Sequence, residues 1–317
     1  MRVAAALSIA TATGCGARSG LRVPDVAMDG ESRDQFEPSD SFDVRDESDA
    51  FDAPDATDAF DVVDLVEVAI DTPPPLCADG GVQFVYVIGR DNQLFSYYPP
   101  SGAFSFIGTI RCPVDPSIMP YSMSVDHTGT AYVVFDDGHL FRVSTATARC
   151  DATPFVPNQH GFMTFGMGFA ANARDPGETL YVIEANFSGP SLGLASIDVD
   201  SLVLSVVGPV RLGRSELSGT GDGRLYAFTV PANPGEPNTL TQLDPHTATA
   251  LSTTALTTGD PNAAFAFAFW GNDFYIFTST VGPSVVQRYR PSDGSITRVA
   301  MAPAMIVGAG VSTCAPH

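Results

Sequence analysis

The chain has no lysine, a single tryptophan and only five cysteines in 317 residues, and it carries none of the short motifs that announce chemistry. There is no G-x-S-x-G nucleophile elbow, no phosphate-binding P-loop, no H-E-x-x-H zinc helix and no EF-hand loop, so no common catalytic signature is present. Cations are scarce: 16 basic residues, all Arg, stand against 36 acids, for a net charge of −20. Phosphate binding depends on clustered cations, so this balance argues against nucleic acid or an anionic membrane surface as a partner. The missing lysine reflects a preference for Arg codons and carries no functional content.

The charge that is present is unevenly spread. Residues 1–24 hold three Arg and no acid, residues 25–75 hold 17 acids and two Arg, and residues 76–317 hold 19 acids and 11 Arg. At the N-terminus Arg2 precedes a short apolar run, Val3 to Ala12, with small residues ahead of Cys15. That is the layout of an export signal over residues 1–15, too short to span a bilayer. Ala12-Thr13-Gly14-Cys15 resembles the lipobox of bacterial lipoproteins, with Ala12 where that family usually has Leu. The resemblance implies lipidation of Cys15 and, from Gly16 in place of Asp, an outer-membrane destination. A plain cleaved signal that discards Cys15 is the other reading.

Residues 16–76 read as a disordered acidic tether. Acids recur at every third position from Glu31 to Glu67 without a gap. A helix would stack these like charges at i,i+3, and Pro38 and Pro54 would break it. A polyproline II chain, with three residues per turn, puts them along one edge, and Pro73-Pro74-Pro75 stiffens the exit. No cofactor is called for. A weak, multivalent Ca²⁺ ligand is the one cation role such a ladder of carboxylates offers, and a solvated spacer is the simpler account.

The remainder, residues 77–317, is organised by a repeat. Tyr86, Tyr132, Tyr181, Tyr226 and Tyr275 each sit in a short β-rich run, separated by 46, 49, 45 and 49 residues. A near-constant period of this length predicts four-stranded propeller blades, hence an all-β, five-bladed β-propeller, with six blades as the alternative count. Ahead of the Tyr runs lie segments with small residues at alternate positions: Ser122–Val125, Gly166–Phe169, Ser215–Gly219 and Ala264–Phe267. These are the expected innermost strands, where blades crowd a central channel. The first unit lacks one, and Ile306–Val311 repeats the pattern at the C-terminus. The ring should therefore close by pairing that strand with the Tyr86 strand, which leaves no open edge.

Without Cys15 four cysteines remain, an even number suited to structural disulfides in an oxidising compartment. Cys77 and Cys314 flank the closing seam and are expected to lock it. Cys112 and Cys150 are the second pair. The strand assignment places them at opposite ends of neighbouring outer strands, too far apart for a bridge, which needs Cα atoms within about 7 Å. Either the register differs or that bridge does not form.

Signal, spacer and repeat together resemble bacterial surface lipoproteins in which an Asp-rich spacer carries a propeller of unknown function, a family that brings no activity with it. Ligands of propellers gather at the channel mouth, and the expected mouth face collects Arg90, Asp91, Asp136, Asp137, His139, His160 and Asn186. Asp136-Asp137-Gly138-His139 is the densest polar cluster, and an Asp-Gly turn is its simplest explanation. Glu184 is a candidate half of a glycosidase carboxylate pair, with no partner in view. Trp270 reads as a core or rim residue rather than a sugar platform. The expectation is a monomeric cell-envelope lipoprotein, held to the membrane only by its N-terminal lipid, that presents a non-catalytic propeller to a protein or glycan partner. The alternative is a propeller hydrolase or lyase working through carboxylates at the channel mouth.

Overall fold

A computed structural model of the chain describes residues 77, 84–185, 191–233, 235–259 and 263–317; the signal segment, Cys15, the acidic segment and Asn186 lie outside them. The described residues form twenty β-strands. Blade 1 contains β1 (Val85–Gly89), β2 (Gln93–Tyr98) and β3 (Ala103–Thr109), and blade 2 contains β4 (Pro120–Val125), β5 (Thr130–Phe135), β6 (Leu140–Ser144) and β7 (Cys150–Ala152). Blade 3 runs through β8 (Phe165–Ala171), β9 (Glu178–Glu184), β10 (Leu194–Ile197) and β11 (Leu204–Gly208). Blade 4 runs through β12 (Arg214–Gly219), β13 (Leu225–Val230), β14 (Asn238–Leu243) and β15 (Ala250–Leu256). Blade 5 is β16 (Ala264–Trp270), β17 (Asp273–Ser279), β18 (Val285–Arg290) and β19 (Ser295–Met301), and β20 (Ile306–Val311) returns to pair with β1. Five antiparallel four-stranded sheets result, each in the order inner to outer, and the innermost strands touch in the cycle β20, β4, β8, β12, β16. The protein is a five-bladed β-propeller.

The repeating Tyr and the small residues have one cause. Each Tyr pairs directly with a small residue of the adjacent inner strand: Tyr86 with Gly310, Tyr132 with Ser124, Tyr181 with Gly168, Tyr226 with Ser218, Tyr275 with Ala268. Residues directly opposite share a sheet face. That face looks toward the next blade, where the Tyr ring fills the wide gap away from the axis and the small residue fits the narrow one beside it. Thus Tyr132 packs on Phe169 of blade 3 and Tyr275 on Tyr97 of blade 1. The alternation of β16 makes the same division: Ala266 and Ala268 join the core with blade 1, while Phe265, Phe267 and Phe269 join Phe228 and Leu240 of blade 4. Crowding at the axis is severe. A Cβ on Gly166 would sit 2.2 Å from the Ser215 carbonyl oxygen, and one on Gly308 2.7 Å from the Met123 nitrogen.

Both disulfides form. Cys77–Cys314, with Cα atoms 5.4 Å apart, pins the strand that closes the ring. Cys112–Cys150 also forms, with a Cα separation of 5.1 Å, so the expectation that these two lie too far apart is corrected. Strand twist is the reason. Neighbouring strands rotate by roughly 20–25°, and over the three steps from inner to outer strand the rotation accumulates to about 60–75°. The end of β3 therefore swings across the interblade gap to the start of β7. The close approach of Gly108 to Ala148, where an added Cβ would sit 2.8 Å from the Ala148 methyl, records the same crossing.

Candidate binding site at the channel mouth

The inner strands all begin at one end of the channel, and that mouth opens into a cavity of about 440 Å³. Two irregularities shape it. The β4–β5 register shifts between Pro120 and Ser122, and the β1–β20 register shifts between Ile88 and Gly89. The extra residues are Tyr121 and Val307, and both line the cavity. A bulge re-aims the side chain it carries, which is how an inner strand otherwise committed to interblade packing puts a phenol in the mouth. Arg90, Met119, Asp136, Met163, Arg214 and Phe265 complete most of the wall. The Arg214 guanidinium lies 4.9 Å from the Phe265 ring centroid, a cation–π contact. Arg90 Nε donates to Met119 Sδ at 3.2 Å, and the Asp136 carboxylate accepts the Met119 N–H at 3.3 Å.

The floor is Glu216. Two residues above the level of the five Tyr, the inner strands present Ser122, Gly166, Glu216, Ala266 and Gly308 at matching register positions. Four are small, and the fifth is an acid that is only 4 % exposed. Its Oε2 accepts the Ser122 hydroxyl at 2.6 Å. Ser122 lies in blade 2 and Glu216 in blade 4, so the carboxyl reaches past blade 3, where Gly166 has no side chain to block it. Burial pushes the Glu216 carboxyl well above the usual carboxylate range, against the opposing pull of the Ser122 hydroxyl, the Met167 N–H and the Arg214 charge. Burial likewise raises the Tyr121 phenol, with the Glu216 carboxyl adding to the effect.

The opposite end of the channel is covered. Glu178 accepts from Thr313 Oγ1 at 2.6 Å and meets His127 Nδ1 at 2.9 Å. Gly271 N–H donates to the Pro316 carbonyl at 2.7 Å, and Gly221 packs under Thr313 and His317. The segment after β20 thus touches blades 3, 4 and 5.

Of the residues expected at this face, Arg90 and Asp136 line the cavity. Asp91 accepts the Gln93 N–H in its own turn. Asp137 and His139 pair with each other at 2.8 Å, and His139 is half exposed. His160 is exposed with φ 51°, in the loop ahead of β8. Glu184 accepts the Leu192 N–H at 3.0 Å, and Trp270 closes β16 against Tyr275. No cluster of three or more His, Cys, Asp or Glu with metal-holding geometry occurs among the described residues. Sequence reasoning missed Tyr121, Arg214 and Glu216. The signal for Glu216 was legible: it is the one acid at the small positions of the inner strands.

Fold and site together define a disulfide-closed five-bladed propeller with a recess at one channel mouth, floored by a single buried acid. No protein-family model and no curated protein matches the chain. Among solved structures, it is similar to a nidogen/laminin complex at 13% identity, covering 74% of this chain and 83% of that one with a TM-score of 0.44. A protein of unknown function from Bacteroides caccae aligns at 14% identity over 68% of this chain and 72% of that one, TM-score 0.39. TolB from Acinetobacter baumannii aligns at 11% identity over 69% of this chain and 53% of that one, TM-score 0.41. The blade count rests on the strand pairing.

Proposed function

We propose that the chain is an exported, lipid-anchored binding protein of the cell envelope. Residues 1–15 direct export, Cys15 carries the lipid, residues 16–76 act as an acidic spacer, and the propeller of residues 77–317 presents its open mouth, as a monomer, to a protein or glycan partner. The two disulfides fit an oxidising compartment. One observation carries the reading: a recess of ligand-site size at the channel mouth, walled by aromatic and Met side chains with two Arg and Asp136.

Hydrolysis through a carboxylate pair is supported less well. That chemistry needs an ionised carboxylate facing a protonated one. Burial pushes the Glu216 carboxyl well above the usual carboxylate range and it accepts the Ser122 hydroxyl, whereas Asp136 on the rim accepts the Met119 N–H. The test is site-specific photo-crosslinking in intact cells, with the reactive residue at Met163 on the mouth or at exposed Thr128 at the far end. Adducts from Met163 alone support the reading, and equal adducts or none from both positions overturn it. The anchor is tested separately: Cys15→Ser should abolish incorporation of a labelled fatty acid.

A further inference from the structure

We propose that the seam between blades 4 and 5 holds a second binding site, distinct from the mouth, for a neutral saccharide whose hydroxyls are met by Gln242, Ser252, Thr254, Asn272 and Ser292. This seam is built differently from the other four. In every blade the turn into the outermost strand carries a residue at positive φ: Gly102, Ala148, Leu202, Ala248 and Gly294. Four of these abut the chain that precedes their blade. A Cβ on Gly102 would lie 3.2 Å from the Val299 carbonyl oxygen of blade 5, and Cβ atoms added at Gly108 and Gly208 would lie 2.8 and 3.4 Å from the Ala148 and Ala248 methyls. The Leu202 carbonyl accepts Gln159 Nε2 at 3.0 Å, from the loop that leaves blade 2. A Cβ on Gly294 would meet nothing within 4 Å. The turn of blade 5 thus stands clear of blade 4, and a cleft of about 580 Å³, the size of a small-molecule site, opens there.

The walls name the ligand class. Tyr226, Phe269, Phe274 and Tyr289 line the cleft, and Tyr226 is the ring among them that is partly exposed. Gln242 stands directly opposite Ser252 and Leu240 opposite Thr254, so one face of blade 4 presents an amide and two hydroxyls. From blade 5 the tight Gly271-Asn272 turn, with φ 60° and 63°, supplies a second amide, and Ser292 adds a hydroxyl. Among the described residues none of these five polar side chains has a hydrogen-bond partner. Charge is cancelled. Arg224 is the charged residue of the lining, and its Nε and Nη2 each lie 2.9 Å from an oxygen of Asp222, while Nη1 donates to the Tyr226 hydroxyl at 3.1 Å. Asp293, beside Ser292, is paired with Arg290 at 3.8 Å. An apolar ligand would strip water from five polar side chains and give them no partners. A peptide strand is recognised through a backbone edge, whereas these donors and acceptors are side chains on a sheet face and in two turns. A neutral saccharide fits both demands: its hydroxyls donate and accept as the wall amides and hydroxyls do, and its C–H face lies on an aromatic ring.

The experiment titrates the full chain, by ligand-observed NMR, with neutral disaccharides (maltose, cellobiose, lactose and N,N′-diacetylchitobiose), anionic digalacturonate, cationic deacetylated chitobiose and the uncharged peptide N-acetyl-Ala-Ser-Ala amide. The expected result is that a neutral disaccharide binds about tenfold or more tighter than the charged sugars and the peptide. Asn272→Gly keeps the positive φ and removes one amide, and Gln242→Ala removes the other; each should weaken binding about fivefold, and the pair about 25-fold. Asn272 is exposed, so its variant keeps the test alive if Gln242→Ala fails to fold. Preference for the peptide or for either charged sugar overturns the proposal, as does binding of no disaccharide. Affinity unchanged by both substitutions puts the sugar elsewhere on the molecule, which overturns this site and leaves the reading of the mouth intact. Crosslinking from Met163 decides that reading independently.

Discussion

Replacing Glu216 by Gln should raise the stability of the protein, and by more at higher pH. In the folded chain burial holds this carboxyl well above its ordinary value of 4.5, outweighing the Ser122 hydroxyl, the Met167 N–H and Arg214. In the unfolded chain it ionises in the ordinary range. Above that range the folded state keeps a proton that the unfolded state has released. The stabilisation of the wild type is therefore complete below the unfolded value and falls as pH rises toward the folded one, by about 1.4 kcal/mol per pH unit. Gln has no proton to take up, and its carbonyl can accept the same Ser122 bond. The stability difference between E216Q and wild type should thus move in favour of the variant by up to about 1.4 kcal/mol per unit above pH 5, or about 3–5 °C in Tm for a domain of this size. Thermal melts of both proteins at pH 5, 6 and 7 measure it, and taking the difference cancels the carboxylates they share. Glu216→Ala distinguishes ionisation from simple removal. It leaves the Ser122 hydroxyl and Met167 N–H without their acceptor, at about 1–3 kcal/mol for each, and should lie below E216Q at every pH. Melting profiles of E216Q and wild type that run parallel across this range would refute the account of the channel floor.

Other perturbations follow from the same geometry. Gly166→Ala puts a methyl 2.2 Å from the Ser215 carbonyl oxygen and should cost at least about 3 kcal/mol in urea unfolding; a loss under 1 kcal/mol contradicts the axial packing. Paired Cys→Ser replacement should cost more at the seam, roughly 5 kcal/mol for a separation of 237 residues, than at Cys112–Cys150, about 4 kcal/mol for 38. The ordering of the two midpoints is the check. The Tyr97 hydroxyl is buried with no hydrogen-bond partner among the described residues, so Tyr97→Phe should gain about 1 kcal/mol in the same assay. A loss of that size would instead reveal a partner for the phenol.

What the sequence alone determined is the repeat and its consequences. A Tyr every 45 to 49 residues, opposite a small residue on a neighbouring strand, is enough to specify blades, because both are demanded by the wedge-shaped gap between twisted sheets. Ring closure followed from the same pattern, since Ile306–Val311 supplies the strand that the Tyr86 unit lacks. Arg90 and Asp136 were legible as mouth residues for the same reason, lying in turns whose end of the blade the strand order fixes. The rest was decided in three dimensions. Cys112 meets Cys150 only because twist accumulates across a blade, a rotation that strand order along the chain does not encode. Tyr121 enters the mouth because a bulge, set by the pairing of β4 with β5, turns it there. Glu216 finds Ser122 two blades away because five inner strands converge on one axis. Periodicity reports which face of its own strand a residue occupies; which other strands share that space is a property of the closed ring.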